Sequence, residues 1–261
     1  MPADLAALGF VAASEIDKPR LILCTQGKEK RGKDHFAFTA PGPIGVISQD
    51  IGTKGVVEKF VRQGKKIYLR EHQPTQELMI RKASEKEYEK EYKALETEYR
   101  GMLKSPNLRT VVMDTGSDWW ETMRLAEFGK LSANSHHYVE VNARFRELIR
   151  EGFEYDKNVI WIHRVKKRYV KKKDSDKGDW DGNYDLAGFS EIPFLCEITL
   201  NHVRETVTND EGQLVTVFGI EIVDSRYQGA ELIGQTFWGD ECDFGYLAVN
   251  ALPEVDPSAW I

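Results

Sequence analysis

The sequence predicts an α/β fold: a mainly parallel sheet flanked by helices, with an antiparallel hairpin toward the C-terminus. Three observations predict it. Short apolar runs at residues 21–24, 44–48, 66–70, 109–114 and 158–163 alternate with helical patterns, the rhythm of βαβ units. The first run passes through a glycine-bounded loop into a helix start. Residues 194–207 and 215–223 alternate in polarity around Asn209-Asp210-Glu211-Gly212, a hairpin signal. A chain of 261 residues, 41% hydrophobic and 30% charged, suits one large domain, here 21–225, with a lead-in at 1–20 and a C-terminal extension at 226–261.

The elements follow in order. Residues 1–20 form a peripheral lead-in closed by Pro19, with Asp4 where a signal peptide would carry Lys or Arg. Leu21-Ile22-Leu23-Cys24 is a buried strand, and a helix starting at His35 is stopped by Pro41-Gly42-Pro43. Residues 44–48 give a second strand, and Thr53 caps a helix over 54–62 whose Val56, Val57, Phe60 and Val61 share a face. Residues 66–70 are a third strand. Over 84–104, Tyr88, Tyr92, Leu95, Tyr99 and Met102 step by three and four, the buried face of a charged layer helix. The strand 109–114 ends in Asp114, with helices over 118–131 and 138–152 behind it. The strand 158–163 ends in His163, and 174–185 is the most loop-like stretch. The final LPEVDPSAWI reads as a partner-docking tail or a frayed terminus.

Composition narrows the function. No apolar run approaches the roughly 20 residues of a membrane span. A net charge of −6 confines any nucleic-acid contact to a local patch. Cys24, Cys196 and Cys242 are scattered without metal spacing, so three reduced thiols in a cytoplasmic setting are expected. The adjacent His136 and His137 read as surface residues.

Gly27-Lys28-Glu29-Lys30-Arg31-Gly32-Lys33-Asp34, followed by His35, has the layout G-x-x-x-x-G-K-[ST] of a phosphate-binding P-loop, apart from its last letter. The glycines let backbone N–H groups turn toward a phosphate, the helix N-terminus adds partial positive charge, and Lys33 reaches the outer phosphates. Asp34 replaces the hydroxyl that binds Mg²⁺; its carboxylate can hold the metal directly or repel a triphosphate. Asp114 closes an apolar strand as a Walker B acid does, to orient Mg²⁺ through water, or else caps the next helix. Asp50 can align an attacking water or stabilise the turn at Gly52. His163 can sense the terminal phosphate or be satisfied by nearby backbone. Arg164, Lys166, Lys167, Arg168, Lys171, Lys172 and Lys173 put seven basic residues in ten positions. With Tyr169, Trp180 and Tyr184 they can track a nucleic-acid backbone and stack bases, or simply form a solvated segment.

The P-loop followed by PGPIGVISQDIGTKGVVEKF, then VVMDTGSDWW and NVIWIHRVKKRYV, resembles the phage-encoded RecA-like P-loop proteins, including Sak-type recombinases that assist single-strand annealing. The resemblance spans about residues 20 to 225. It implies a RecA-like core, ATP and Mg²⁺ at the strand tips, and a cytoplasmic phage protein that binds single-stranded DNA as a homo-oligomer, with a single-strand-binding or replication protein as a further partner. By position it gives Gly27, Gly32 and Lys33 to the phosphates, Asp114 to the metal, Asp50 to the catalytic carboxylate and His163 to the sensor. The segment from Arg164 corresponds to a DNA-binding loop, and Arg226, Arg204 and Arg168 are the candidates for an arginine supplied between subunits. The alternative is a catalytically degenerate P-loop scaffold for DNA annealing or protein interaction.

Overall fold

Continuous apolar strands require burial on both faces, so helices must cover both sides of the sheet. The computed structural model describes residues 3–9, 19–50, 52–72, 76–79, 82–129, 138–170, 178–227 and 229–260. Its elements are α1 (Ala3–Ala7), β1 (Ile22–Gly27), α2 (Lys33–Ala37), β2 (Ile44–Ser48), α3 (Thr53–Arg62), β3 (Ile67–Glu71), α4 (Gln76–Met79), α5 (Glu85–Lys104), β4 (Thr110–Asp114), α6 (Gly116–Phe128), α7 (Tyr138–Glu151), β5 (Asn158–Val170), β6 (Asp179–Leu186), α8 (Ile192–Leu195), β7 (Ile198–Thr208), β8 (Leu214–Ser225), α9 (Gly229–Leu232), β9 (Thr236–Trp238) and α10 (Phe244–Ala251). The sheet order is β3-β2-β4-β5-β1-β7-β8-β9, with β6 paired only to β5. The strands from β3 to β7 in that order are parallel, whereas β8 and β9 join antiparallel. This mostly parallel mixed sheet, flanked by helices, is an arrangement common to Rossmann-type and RecA-like folds.

Side chains alternate between the two layers with the two-residue period of a strand. Leu21 and Leu23, Val112, Ile160 and Ile162 enter the layer with α2, α3 and α10. Ile22 and Cys24, Val111 and Met113, Val159 and Trp161 enter the layer with α5, α6 and α7. The second layer centres on aromatic rings: Trp119 stacks on Trp161 at 5.6 Å, with Tyr99 and Phe145 packed around the pair. Helix α5 opens with a capping box between Ser84 and Glu87. Its buried face is Tyr88, Tyr92, Leu95, Tyr99 and Leu103, with Met102 partly buried against the same core.

Several expectations need correction. Thr53 does not cap α3; the helix starts at Thr53 itself, and Gly52 is the cap residue. The helix expected over 118–131 starts at Gly116 and ends at Phe128; Lys130, His136 and His137 lie outside the described residues. The basic segment from Arg164 is not a loop. It continues β5 and pairs antiparallel with β6, which contains most of the stretch read as loop-like. Residues 192–195 form the short helix α8 before β7 begins, where a strand was expected from 194.

Residues 226–260 belong to the same sheet and core: β9 extends the sheet, and α10 packs through Phe244 against Phe36 of α2. The final segment is no docking tail, because Trp260 is only 3% exposed and sits against Phe244. Trp260→Ala should therefore cost about 3–5 kcal/mol. Calorimetry should record a melting temperature lower by roughly 10 °C, whereas an unchanged melting temperature would mean the segment is unpacked in solution.

Candidate functional site

In a parallel sheet every strand delivers its C-terminal end to the same edge, where open α/β sheets place their ligands. Here β1, β2 and β4 end side by side with β5, which crosses the same edge and runs on to Val170. Ser48 is in register with Asp114, Asp114 with Ile162, Gln26 with His163, and Gly27 with both Arg164 and His202. The edge opens into a cleft of about 1050 Å³ whose walls include Lys33, Asp34, Asp50, Asp114 and Arg164.

The 27–34 loop joins β1 to α2 along this cleft. Gly27 is required by close approach: a Cβ there would lie 3.0 Å from the Cβ of His202 and 3.1 Å from its carbonyl oxygen. Gly32 is required by conformation, since its φ of 85° and ψ of 18° are left-handed. Lys30 is also left-handed, with φ 55°. Lys33 folds back and donates to the carbonyl oxygens of Lys28 (2.9 Å) and Gly27 (3.2 Å). Burial pushes its ammonium pKa down, and the carboxylates of Asp34, Asp114, Asp50 and Glu29 push it back up. The flanks of the loop are tied outward: Lys28 Nζ lies 4.0 Å from the ring centre of Tyr184, and Arg31 donates to the carbonyl of Arg204 at 2.9 Å. His35 faces the cleft from α2, its ring 5.7 Å from that of Phe60. Glu29 and Lys30 stand at the rim.

Across the cleft Asp114 is 3% exposed. Its Oδ2 accepts from Thr53 Oγ1 at 2.6 Å and from Ser48 Oγ at 2.8 Å. This bond explains the local sequence: Thr53 spends its hydroxyl on Asp114 rather than on its own helix. Asp114 does not cap the following helix either; Thr115 does, accepting from the Asp118 N–H at 3.2 Å. Burial raises the Asp114 pKa, while its two hydroxyl partners oppose the shift. Asp34 stands in the first turn of α2, where burial, with Asp114 and Asp50 adding to it and Lys33 opposing, pushes its carboxyl up to about 7. Asp50 lines the cleft, and its Oδ1 also accepts from the Gly52 N–H at 3.0 Å, so the turn contact weighed for it is present.

His163 is fully buried and lies behind the cleft. Its Nδ1 is 3.2 Å from Ser117 Oγ, and a Cβ on Gly116 would come within 2.7 Å of its Nε2. Burial lowers its pKa to about 4, which leaves it neutral near pH 7. It is in register with Gln26 of β1 and touches the start of α6 at Gly116 and Ser117. Among the described residues no group of three or more His, Cys, Asp or Glu side chains is placed to hold a metal ion. A metal ion held by Asp34 and Asp114 would have to take its remaining ligands from water or a substrate.

The β5–β6 ribbon presents Lys166, Lys167 and Arg168 to solvent; Lys171, Lys172 and Lys173 lie outside the described residues. Its charge is mixed, because the return strand is acidic: Lys166 is in register with Asp185, and Arg168 bonds Asp181 at 2.7 Å. Tyr169 and Trp180 are in register and exposed, with Lys167 Nζ 4.9 Å from the Trp180 ring centre. Of the three candidate inter-subunit arginines, Arg168 is thus paired and Arg226 is bound to the carbonyls of Phe194 and Leu195, while Arg204 is exposed on β7.

Sequence reasoning missed Ser48, Ser117, Asp118 and Phe218. The first three follow strand ends or turn positions whose importance appears only once the register is known. Phe218 reaches the cleft from β8 and lies 3.6 Å from where a Cβ on Gly32 would sit. No model of a known protein family matches this chain, and no curated protein gives a significant match to it. No helix among the described residues is long and apolar enough to cross a membrane.

The raised Asp34 carboxyl has a consequence for stability. Its pKa is 3.8 as a reference and about 7 in the fold, so the folded chain holds this proton more tightly than the unfolded one. That stabilisation is complete below about pH 4 and is lost as pH rises to about 7. Asp34→Asn should therefore melt close to the parent below about pH 4 and increasingly above it as the pH rises to about 7, in the absence of metal and nucleotide. A difference that does not change with pH would show that Asp34 ionises normally.

Proposed function

We propose that this chain is an ATP-binding P-loop protein of the RecA-like type that hydrolyses ATP with Mg²⁺ and engages single-stranded DNA as an oligomer. The observation that carries this reading is the convergence on one cleft of the 27–34 loop, with Lys33 folded onto its carbonyls, and the buried Asp114 two strands away. Lys33 and the loop N–H groups have the chemistry to hold the phosphates. Asp114 and Asp34 are the residues to hold Mg²⁺, which would neutralise charge on the outer phosphates. Asp50 is the carboxylate available to orient a water. Tyr169 and Trp180 on the ribbon offer faces on which bases stack, and Lys167 adds positive charge beside them.

A second reading is favoured by one observation. Asp34 stands where a hydroxyl would bind the metal, and four carboxylates, of Asp34, Asp50, Asp114 and Glu29, act on one ammonium group. A site so charged suits a nucleotide-binding switch or an annealing scaffold with little turnover.

The test is ATP binding and hydrolysis with Mg²⁺, with and without single-stranded DNA. DNA-stimulated turnover is expected, and Lys33→Ala should lower ATP affinity by at least about tenfold, the loss of one charge-assisted contact. Unchanged affinity in that variant would remove the P-loop assignment. If the parent binds ATP without turnover and Asp34→Thr gains turnover, the switch reading replaces the enzyme reading.

A further inference from the structure

Arg164 begins the basic run, which made it a nucleic-acid contact from the sequence. Its position in the fold is different. It is the register partner of Gly27, the first residue of the phosphate loop, on a directly neighbouring strand, and paired strands lie about 4.8 Å apart. Its side chain lines the same cleft as Lys33 and Asp114, which Lys166, Lys167 and Arg168 do not. Its guanidinium pairs with Asp118, which also lines the cleft.

The two partners of that pair are held unequally. Asp118 is fixed in the first turn of α6: Thr115 Oγ1 donates to its Oδ2 at 2.8 Å, and its own N–H is bound to the same hydroxyl. The helix N-terminus still favours its negative charge if the arginine leaves. The Arg164 side chain is half exposed, so water screens the pair and the hold is weak. A guanidinium also matches phosphate oxygens with two parallel hydrogen bonds.

The backbone of Arg164 is the root of the ribbon. Its N–H donates to Ser117 Oγ at 3.0 Å, and its carbonyl accepts from the Ala187 N–H at 2.8 Å. Ser117 Oγ donates in turn to the Ala187 carbonyl at 2.7 Å. Both ribbon strands are therefore clamped to the turn that follows Asp114. The contact of Lys28 with Tyr184 is a second link between the loop and the ribbon.

We propose that Arg164 is a terminal-phosphate sensor: it rests on Asp118 when the cleft holds no triphosphate, and transfers to the terminal phosphate when one binds, moving the root of the β5–β6 ribbon. This rests on the nucleotide reading of the cleft given above.

The experiment measures ATP and ADP affinity with Mg²⁺ for the full chain and for Arg164→Ala, Asp118→Asn and Lys33→Ala, with hydrogen exchange over residues 165–170 and 179–186. Arg164→Ala should weaken ATP on the order of tenfold and leave ADP within about twofold. It should also abolish the ATP-dependent change in ribbon exchange expected of the parent. Asp118→Asn, which frees the arginine, should tighten ATP, and Lys33→Ala should weaken both nucleotides. If Lys33→Ala behaves so but Arg164→Ala binds ATP as the parent does, the sensor is overturned while the nucleotide site stands. If Arg164→Ala loses only affinity for a labelled single-stranded oligonucleotide, the residue returns to the basic run and the proposal fails. A parent that binds neither nucleotide overturns both readings.

Discussion

A carboxylate buried at the end of a central strand has to be compensated, and the rest of the site follows from how Asp114 is compensated. Two hydroxyls do it. One comes from Ser48 through strand register, the other from Thr53 through the start of a helix. Parallel pairing of β2 with β4 is thus a condition for the site, because a one-residue slip would turn Ser48 to the other face. The lysine across the cleft is itself partly desolvated and is shared among Asp34, Asp114, Asp50 and Glu29. Burial first, and then the charges of Asp114 and Asp50, which Lys33 only partly offsets, are why Asp34 keeps its proton to about pH 7. The chemistry of this edge is thus governed by an excess of negative charge in a partly dry space.

The 27–34 loop does not stand alone on its strand. It lies between two antiparallel ribbons, touching β6 through Lys28, bound to β7 through Arg31, and covered by Phe218 of β8. Its conformation is therefore shared with elements that reach well beyond the cleft. His163, expected at the tip of a strand as a direct sensor, is instead packed behind Gly116 and neutral. Arg164, one residue further, faces the opposite way along the strand and enters the cleft.

The sequence made the parallel strands and the face of α5 legible, because period-two and three-to-four stepping survive wherever a layer is buried on a sheet. The loop and its lysine were legible from glycine chemistry. Residues 179–186 were not read as a strand, because Asp, Gly and Asn dominate them and they pair only at the exposed half of β5. The hydroxyl of Thr53 looked like a helix cap because nothing local distinguishes a cap from a ligand 61 residues away. Trp260 was hidden for the same reason: its partners are set by tertiary packing, while its neighbours in sequence are prolines and acids. The acidic return strand, too, cancels part of a charge run that looked uncompensated when read along one strand.

The layer beneath α2 is completed by residues far along the chain. The Phe244 N–H donates to Thr39 Oγ1 at 2.8 Å across 205 positions, Phe244 covers Phe36, and Trp260 covers Phe244. During synthesis, β1 and the loop are made early, yet the packing around the helix they lead into is completed only when residues 244–260 emerge. A nascent chain thus carries the 27–34 loop for most of its length before Phe36 gains its Phe244 contact. The cleft is among the last parts of the molecule to be assembled, although its first residues are among the earliest made.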